Sequence, residues 1–120
     1  MISLYFLAGH SSGKDGLYGH KVTFACDHTT PVDDALIPTG EIKAVKGTGF
    51  DLTQAGTDLG EAMTKAGGGF DHNFCIRDFK EKMGQMKLVC NVEEPKSGRC
   101  LELKTDQPGV QFYTGTNMSG

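Results

Sequence analysis

Long apolar runs are missing from this sequence. The N-terminal apolar stretch, residues 2–9, contains Ser3 and Tyr5, is too short to cross a bilayer, and has no basic segment before it. It is a poor secretion signal and a poor membrane anchor, so we interpret it as a β-strand. Val, Ile, Leu and Phe supply only 26 of the 120 residues, just above the ~20 % below which disorder is expected. The sequence therefore predicts one domain, or part of one, with a modest core.

Blocks of like charge are missing as well. The 12 basic and 15 acidic residues are interspersed, and the net charge is −3. We therefore expect neither a nucleic-acid partner nor a membrane surface. The pattern GxxxxGK[ST] does not occur, so a phosphate-binding loop of that kind is not predicted.

The cysteines form no recognisable pairs. Cys26, Cys75, Cys90 and Cys100 contain no CxxC motif and no metal-ligand spacing with histidine, so we expect no metal site. If Cys90 and Cys100 lie on two arms of a hairpin that turns near residues 96–98, Cys100 faces a residue between 92 and 95. That places it beyond the ~7 Å limit for a disulfide with Cys90. We expect reduced cysteines in a cytoplasmic protein.

Glycine, by contrast, is abundant. The 17 glycines amount to roughly twice the average usage and follow no period, which excludes collagen and simple linkers. Short stretches of alternating apolar and polar residues separated by turn residues predict an all-β, antiparallel fold. The predicted strands cover residues 21–27, 41–45, a segment after 69, 87–93, 99–105 and 110–114, with turns at 29–34, 94–98 and 106–109.

One short helix is predicted within residues 53–64, centred on 58–63. Thr57 or Asp58 is the candidate N-cap and Gly67 the candidate stop. Gly60 weakens this helix by roughly 1 kcal/mol relative to Ala.

The stretch 67–76 has the most unusual composition of the chain. Three glycines, which tolerate positive φ or close backbone approach, precede Phe70 and Asp71. An Asp held at the start of a strand can accept hydrogen bonds from the hydroxyl groups of a ligand such as a sugar. Asp71 is equally consistent with a turn or capping residue.

Taken together, six segments resemble the aldose 1-epimerases, the galactose mutarotase family. They occur in family order at family-like spacing and cover residues 7–10, 31–33, 36–42, 69–74, 96–99 and 107–115. The resemblance implies a part of a large antiparallel β-sandwich, often called a supersandwich, with a sugar bound in an open cleft on one sheet face. It also implies interconversion of the α and β anomers of an aldose such as galactose, without a cofactor.

The resemblance carries over to single residues only in part. Asp71 matches the family's sugar-binding Asp, whereas its neighbour His72 is more simply a packing residue. The family's acid histidine lies in an Asn-His-Ser-Tyr-Phe-Asn-Leu-Ala-Gly pattern, and Ile2 stands in its place here. His10, just past this motif, is more simply a loop residue. The family's general-base Glu is expected beyond Gly120.

Other family residues find no counterpart in this chain. The family's further sugar-contacting Arg and His belong to an upstream portion, and Glu102, although it follows Cys-Leu, belongs to the earlier hairpin. We therefore expect residues 1–120 to form the central part of the family domain. No catalytic residue is carried over, and the substrate-binding candidate is Asp71.

Three functions stay open at this stage. The chain could be an aldose 1-epimerase, with acid and base catalysis of ring opening. It could be a catalytically inactive sugar-binding fragment that keeps Asp71 but lacks the acid and the base. It could also be a fragment that depends on a partner, or on self-association, to cover its exposed strand edges.

Overall fold

The computed structural model describes residues 18–35 and 37–114 and the backbone of Ile2 and Ser3. Nine strands and one complete helix lie within them. The strands are β1 (Ile2–Ser3), β2 (Lys21–Phe24), β3 (Cys26–Thr30), β4 (Lys43–Ala44), β5 (Thr57–Asp58), β6 (Asp71–Ile76), β7 (Lys87–Glu94), β8 (Arg99–Thr105) and β9 (Gly109–Tyr113); the helix α1 (Leu59–Ala66) follows β5.

The strands form two sheets. The five-stranded sheet has the order β1-β9-β6-β3-β4, and the four-stranded sheet has the order β5-β2-β7-β8. Every pairing is antiparallel except that of β1 with β9, which is parallel. The expected antiparallel β-sandwich with a short helix is confirmed.

Aromatic side chains fill the space between the sheets. Phe24 on β2 contacts Phe74 and Phe112 on the opposite sheet, with ring centroids 5.2 and 4.9 Å apart. Phe70 stacks on Phe112 at 5.3 Å. All four rings are almost completely buried. This cluster is what a chain with few aliphatic residues uses as its core, because each buried aromatic ring removes a large apolar area from water.

The chain changes sheets at Ala25, which corrects the prediction of one strand over residues 21–27. The Ala25 N–H donates to the carbonyl of Val89 in the four-stranded sheet, and its carbonyl accepts from the Arg77 N–H beyond β6. Because one residue bonds to both layers, the period-two pattern continues in sequence although the strand itself is broken.

Two further strand predictions need correction. β3 extends to Thr30, where a turn was expected, because it pairs with β6 as far as Asn73. The predicted strand over 41–45 is reduced to Lys43–Ala44. Of the predicted N-terminal strand, residues 4–9 lie outside the described part of the chain, as do His10 and Gly120.

The helix begins and ends as its caps predict. The Asp58 carboxylate accepts from the Glu61 N–H at 3.1 Å, which marks Asp58 as the N-cap. Gly67 ends the helix with φ of 88°, and the N–H groups of Gly67 and Gly68 reach the carbonyls of Thr64 and Met63. Leu59 and Ala62 are its buried residues. No helix within the described residues is long and apolar enough to cross a membrane.

The predicted hairpin is also confirmed. β7 and β8 pair from Lys87 opposite Thr105 to Glu94 opposite Arg99, with Cys100 opposite Glu93. Glu94 closes the turn, since its carboxylate accepts from the N–H groups of Lys96 and Ser97. All four cysteines are free thiols, as expected.

Candidate functional site

The solvent-facing side of the five-stranded sheet is the candidate site. Side chains of a strand alternate between its two faces, and on β6 the buried Phe74 and Ile76 point towards the core. The intervening residues therefore face away from it, as do the residues between Val110 and Phe112 on β9. These outward positions of β6, β9 and β3 are Asp71, Asn73, Cys75, Gly109, Gln111, Tyr113, His28 and Thr30.

Two of these side chains meet across the strands. Gln111 lies opposite Asn73, one diagonal step from Asp71. The Gln111 Nε2 group donates a hydrogen bond of 2.8 Å to Asp71 Oδ1. Within the described part of the chain, Asp71 Oδ2 accepts no hydrogen bond and remains open to solvent. The pair therefore presents a free carboxylate oxygen, held in place, beside an amide oxygen.

A second polar pair continues the same row. Asn73 lies opposite Thr30 on β3 and donates from Nδ2 to Thr30 Oγ1 at 3.1 Å. Gly109 makes room for this amide, since a Cβ at that position would lie 2.7 Å from Asn73 Oδ1. Polar groups from three adjacent strands thus lie side by side.

Tyr113 adds an aromatic residue to this face. Its backbone lies directly opposite Asp71 in the β6–β9 pairing, so the two Cβ atoms are about 5 Å apart. A carboxylate acceptor, amide groups and an aromatic residue together suit a ligand that carries both hydroxyl and C–H groups.

His72 lies on the opposite face of β6 and packs against Phe50. Its ring lies 4.7 Å from that of Phe50, and Nδ1 accepts from the Asp71 N–H at 3.1 Å. Burial lowers the pKa of His72 below its usual 6.5, although the Asp71 charge opposes this shift. The ring thus faces away from the outer side of the sheet, and its contact with Phe50 supports the predicted packing role.

Ile2 lies at the edge of the same sheet. Its backbone pairs with Phe112, and Ser3 pairs with Tyr113, so β1 runs beside the strand that carries Gln111. That Ile2 stands where the family has its acid histidine stays a prediction. Glu102, in contrast, is an exposed residue of β8 in the other sheet and takes no part in the site.

Sequence reasoning identified Asp71 but not its partners. Gln111 and Tyr113 occur in a matching segment and alternate with Val110 and Phe112, so the alternation predicted a strand there. It did not show which strand would lie beside β6. That information is carried only by the pairing of β6 with β9.

A separate small cavity lies between α1 and the loop that precedes β5. Its volume is about 230 Å³, and its lining includes Asp51, Gln54, Glu61 and Lys65. The Asp51 carboxylate is already engaged by the N–H and the hydroxyl of Thr53. Because small-molecule sites usually exceed about 300 Å³, we favour the outer sheet face as the candidate site.

Comparison with known proteins relates this chain to one family. The family model described as "Aldose 1-epimerase" matches residues 4–120. The chain is 47% identical over 121 residues to "Galactose mutarotase" of Mus musculus and 44% identical over 119 residues to that of Homo sapiens. Each alignment covers 98% of this chain and 33% of the relative. "Aldose 1-epimerase" of Escherichia coli is 30% identical over 105 residues, which is 84% of this chain and 30% of the relative.

Solved structures show the same similarity in three dimensions. The GalM/aldose epimerase homologue from C. elegans matches with a TM-score of 0.69 and 29% identity, covering 85% of this chain and 30% of that one. Galactose 1-epimerase from Lactobacillus acidophilus, at 22% identity and a TM-score of 0.65 over 87% of this chain and 31% of that one, supports the fold alone. This chain spans about a third of the length of the curated relatives it matches.

Proposed function

This chain belongs to the aldose 1-epimerase family, and we propose that the outer face of its five-stranded sheet binds the hydroxyl groups of an aldose such as galactose. Residues 1–120 would form part of a galactose mutarotase-like domain. In that role the chain would serve the interconversion of α and β anomers.

The hydrogen bond between Asp71 and Gln111 carries this proposal. It holds Asp71 Oδ1 while Oδ2 remains available as an acceptor for a sugar hydroxyl. Hydrogen bonds to a charged acceptor are roughly twice as strong as neutral ones. A carboxylate already oriented by a neighbour also loses less side-chain entropy on binding.

Anomer interconversion needs more than this binding pair. One group must take the proton from the C1 hydroxyl while another protonates the ring oxygen, so that the ring opens and closes on the other face. Ile2, at the position of the family's acid, has no proton to donate. His28 pairs with Cys75 on the same face, but Cys75 lies about 13 Å along β6 from Asp71. We therefore propose that the 120-residue chain binds the sugar but does not by itself accelerate mutarotation.

A galactose titration followed by NMR tests the binding step. We expect dispersed amide signals, with shifts concentrated at Asp71, Gln111 and their strand neighbours. Asp71→Asn should weaken binding about tenfold or more, since it replaces a charged acceptor. The exposed Asp106, in the turn before β9, offers Asp106→Asn as a matched control that should bind normally. Unchanged spectra at saturating galactose would refute the proposal.

Polarimetry tests the catalytic step separately. We expect the optical rotation of freshly dissolved α-galactose to relax at nearly the uncatalysed rate in the presence of the chain. Turnover comparable with that of a complete aldose 1-epimerase would contradict the inactive role.

A fragment that depends on a partner is the second candidate function. The observation that favours it is the seven-residue strand β8, whose outer edge pairs with no strand in the described part of the chain. An unpaired edge of this length is a template for pairing with another chain. Under this alternative the outer face of the five-stranded sheet would bind no sugar until a partner covers the edge of β8.

We propose the cytoplasm as the compartment of this protein. Four free cysteines, of which Cys26 and Cys90 are buried, fit a reducing environment. Fractionation of cells that express a tagged chain tests this placement, and recovery in the secreted fraction would contradict it.

A further inference from the structure

Gly109 is the first residue of β9, and its backbone does not explain why a glycine stands there. A glycine that follows a proline is typical of a turn position with positive φ, but Gly109 is not among the glycines of positive φ. It pairs with Cys75 in the β6–β9 ladder instead. Since alanine could adopt this backbone, the glycine is favoured by the space that surrounds it.

The side-chain amide of Asn73 occupies that space. A Cβ at position 109 would lie 2.7 Å from Asn73 Oδ1 and 3.3 Å from Nδ2, and the first distance is too short for two non-bonded heavy atoms. The amide is also held from the other side, because Nδ2 donates to Thr30 Oγ1 at 3.1 Å. Asn73 thus lies between Gly109 on β9 and Thr30 on β3, and the two contacts fix its orientation.

The contact between Gly109 and Asn73 follows the same diagonal as the contact between Gln111 and Asp71. Gln111 lies opposite Asn73 and reaches diagonally to Asp71, two residues before it on β6. Gly109 lies opposite Cys75, and the equivalent diagonal leads to Asn73. Diagonal neighbours in an antiparallel pair are within reach of long side chains. One diagonal therefore carries a hydrogen bond, and the next one carries the space that Asn73 fills.

This arrangement keeps apart two amides that would otherwise compete. Asn73 and Gln111 are directly opposite each other, so their Cβ atoms are about 5 Å apart. Each amide has donors and an acceptor that the other could use. Because Asn73 turns towards Gly109 and Thr30, Gln111 donates to Asp71 at 2.8 Å. An Asn73 amide displaced from Gly109 would meet the Gln111 amide or the Asp71 carboxylate, and either contact would take Gln111 away from Asp71.

We propose that Gly109 and Asn73 are positioning residues for the pair of Asp71 and Gln111. The space over Gly109 holds the Asn73 amide away from Gln111, so that Gln111 orients the Asp71 carboxylate for a sugar hydroxyl. Neither positioning residue has to touch the sugar. The consequence for sugar affinity rests on the proposed function of the outer face, whereas the consequence for the hydrogen bond between Gln111 and Asp71 does not.

NMR of the side-chain amides tests the hydrogen bond without a ligand. Asp71→Ala removes the acceptor, so this variant gives the chemical shift of the unbonded Gln111 amide. We expect Gly109→Ala to move the Gln111 signal from its position in the unmodified chain towards its position in Asp71→Ala. In an Asn73→Ala background, Gly109→Ala should cause no such movement, because the added methyl group meets no amide. A Gln111 signal that stays in place, or moves equally with and without Asn73, would overturn the proposal.

A galactose titration measures the consequence for binding. A carboxylate that is no longer held has to be ordered when the sugar binds, so Gly109→Ala should raise the dissociation constant about fivefold. In the Asn73→Ala background the same substitution should cause no further loss. An equal loss in both backgrounds would show a general disturbance of β9 and refute positioning through Asn73. If the unmodified chain binds no galactose, the proposal of sugar binding fails, and the Gln111 signal still decides the positioning role.

Thr30 offers a second test that leaves Gly109 unchanged. Thr30→Val removes the oxygen that accepts from Asn73 Nδ2 and keeps the shape of the side chain, whereas Thr30→Ser keeps the oxygen. We expect Thr30→Val to move the Gln111 signal towards its position in Asp71→Ala, and Thr30→Ser to move it much less. Dispersed backbone amide signals confirm that each variant is folded. Equal movements in the two variants would contradict the proposal, because the hydroxyl group would then not be what holds the Asn73 amide.

Discussion

The Nζ atom of Lys21 lies 2.7 Å from Oδ2 of Asp58. The same carboxylate accepts from the Glu61 N–H through its other oxygen at 3.1 Å. Asp58 therefore joins β2 to the N-terminus of α1 and satisfies one of the backbone donors that a helix leaves free. Its hydrogen bond to Lys21 is the largest influence holding the pKa of Asp58 below 3.8.

Two substitutions of Asp58 distinguish the contribution of the capping hydrogen bond to stability from that of the ion pair. Asp58→Ala removes both and should lower the free energy of unfolding by about 1 kcal/mol through loss of the cap. Asp58→Asn keeps a capping oxygen but loses the charge, and we expect a smaller effect, since both partners of the ion pair are partly exposed and such pairs contribute little. Urea denaturation of both variants measures the difference. Equal losses would show that the ion pair, not the cap, is the stabilising contact.

Close contact between Gly49 and α1 makes a second prediction possible. A Cβ at Gly49 would lie 2.2 Å from the backbone nitrogen of Ala66, so backbone atoms would have to move. We expect Gly49→Ala to lower the free energy of unfolding by about 3 kcal/mol, at the upper end for overpacked sites.

Gly47 offers the matched control for this substitution. It has φ of 82°, and the space that a Cβ would occupy there is open, so Gly47→Ala should cost only about 1 kcal/mol of backbone strain. Chemical denaturation of both variants under the same conditions compares them. A Gly49→Ala variant as stable as Gly47→Ala would contradict the close approach.

The pKa of His72 predicts a pH dependence of stability. Burial lowers this pKa below 6.5 in the folded chain, so the unfolded chain takes up the proton first. Well above pH 6.5 neither state is protonated and His72 contributes no dependence. As pH falls from 6.5 towards the folded pKa, the free energy of unfolding should fall because the unfolded state binds more protons.

NMR titration of the His72 ring gives the direct measurement. We expect its midpoint below 6.5. In the His72→Phe variant, the free energy of unfolding should fall less as pH is lowered from 6.5, because the ring that takes up the proton is absent. A His72 midpoint at or above 6.5 would show that the Asp71 charge outweighs burial.

Thiol reactivity should separate buried from exposed cysteines. Burial raises the pKa of Cys26 and of Cys90 to about 12, and the thiolate is the reactive form. At pH 8 only roughly one part in ten thousand of each would be thiolate. Cys100 is exposed and should react first with a chromogenic disulfide reagent, whereas Cys26 and Cys90 should react only after unfolding. The fast phase should vanish in Cys100→Ser; rapid labelling of Cys26 in the folded chain would disprove this assignment.

Local features of the fold could be predicted because they depend on neighbouring residues. The caps of α1 follow from Asp58 and Gly67, and the β7–β8 hairpin follows from two alternating segments around a Pro- and Gly-containing turn. The limits of β3 and β4 could not be predicted, because a strand extends as far as its neighbour offers hydrogen-bond partners. β3 reaches Thr30 for this reason, past the turn signals that follow it.

The candidate site, too, could be predicted from the sequence only in part. Asp71 was found from its own segment, but Gln111 was not, because the two residues are 40 positions apart. The role of Asp71 in sugar binding stays a prediction until a titration measures it.

By itself, the sequence determined the all-β class, the caps of the helix and the alternation that separates core from surface, since each depends on residue types within a few positions. It also determined the family, through six short segments that match in order along the chain. Only the tertiary structure decided that the chain crosses between sheets at Ala25, that β9 lies beside β6, and that β7 lies between β2 and β8. Strand pairing joins distant segments through backbone groups that every residue carries, and side-chain patterns do not specify which segments will meet.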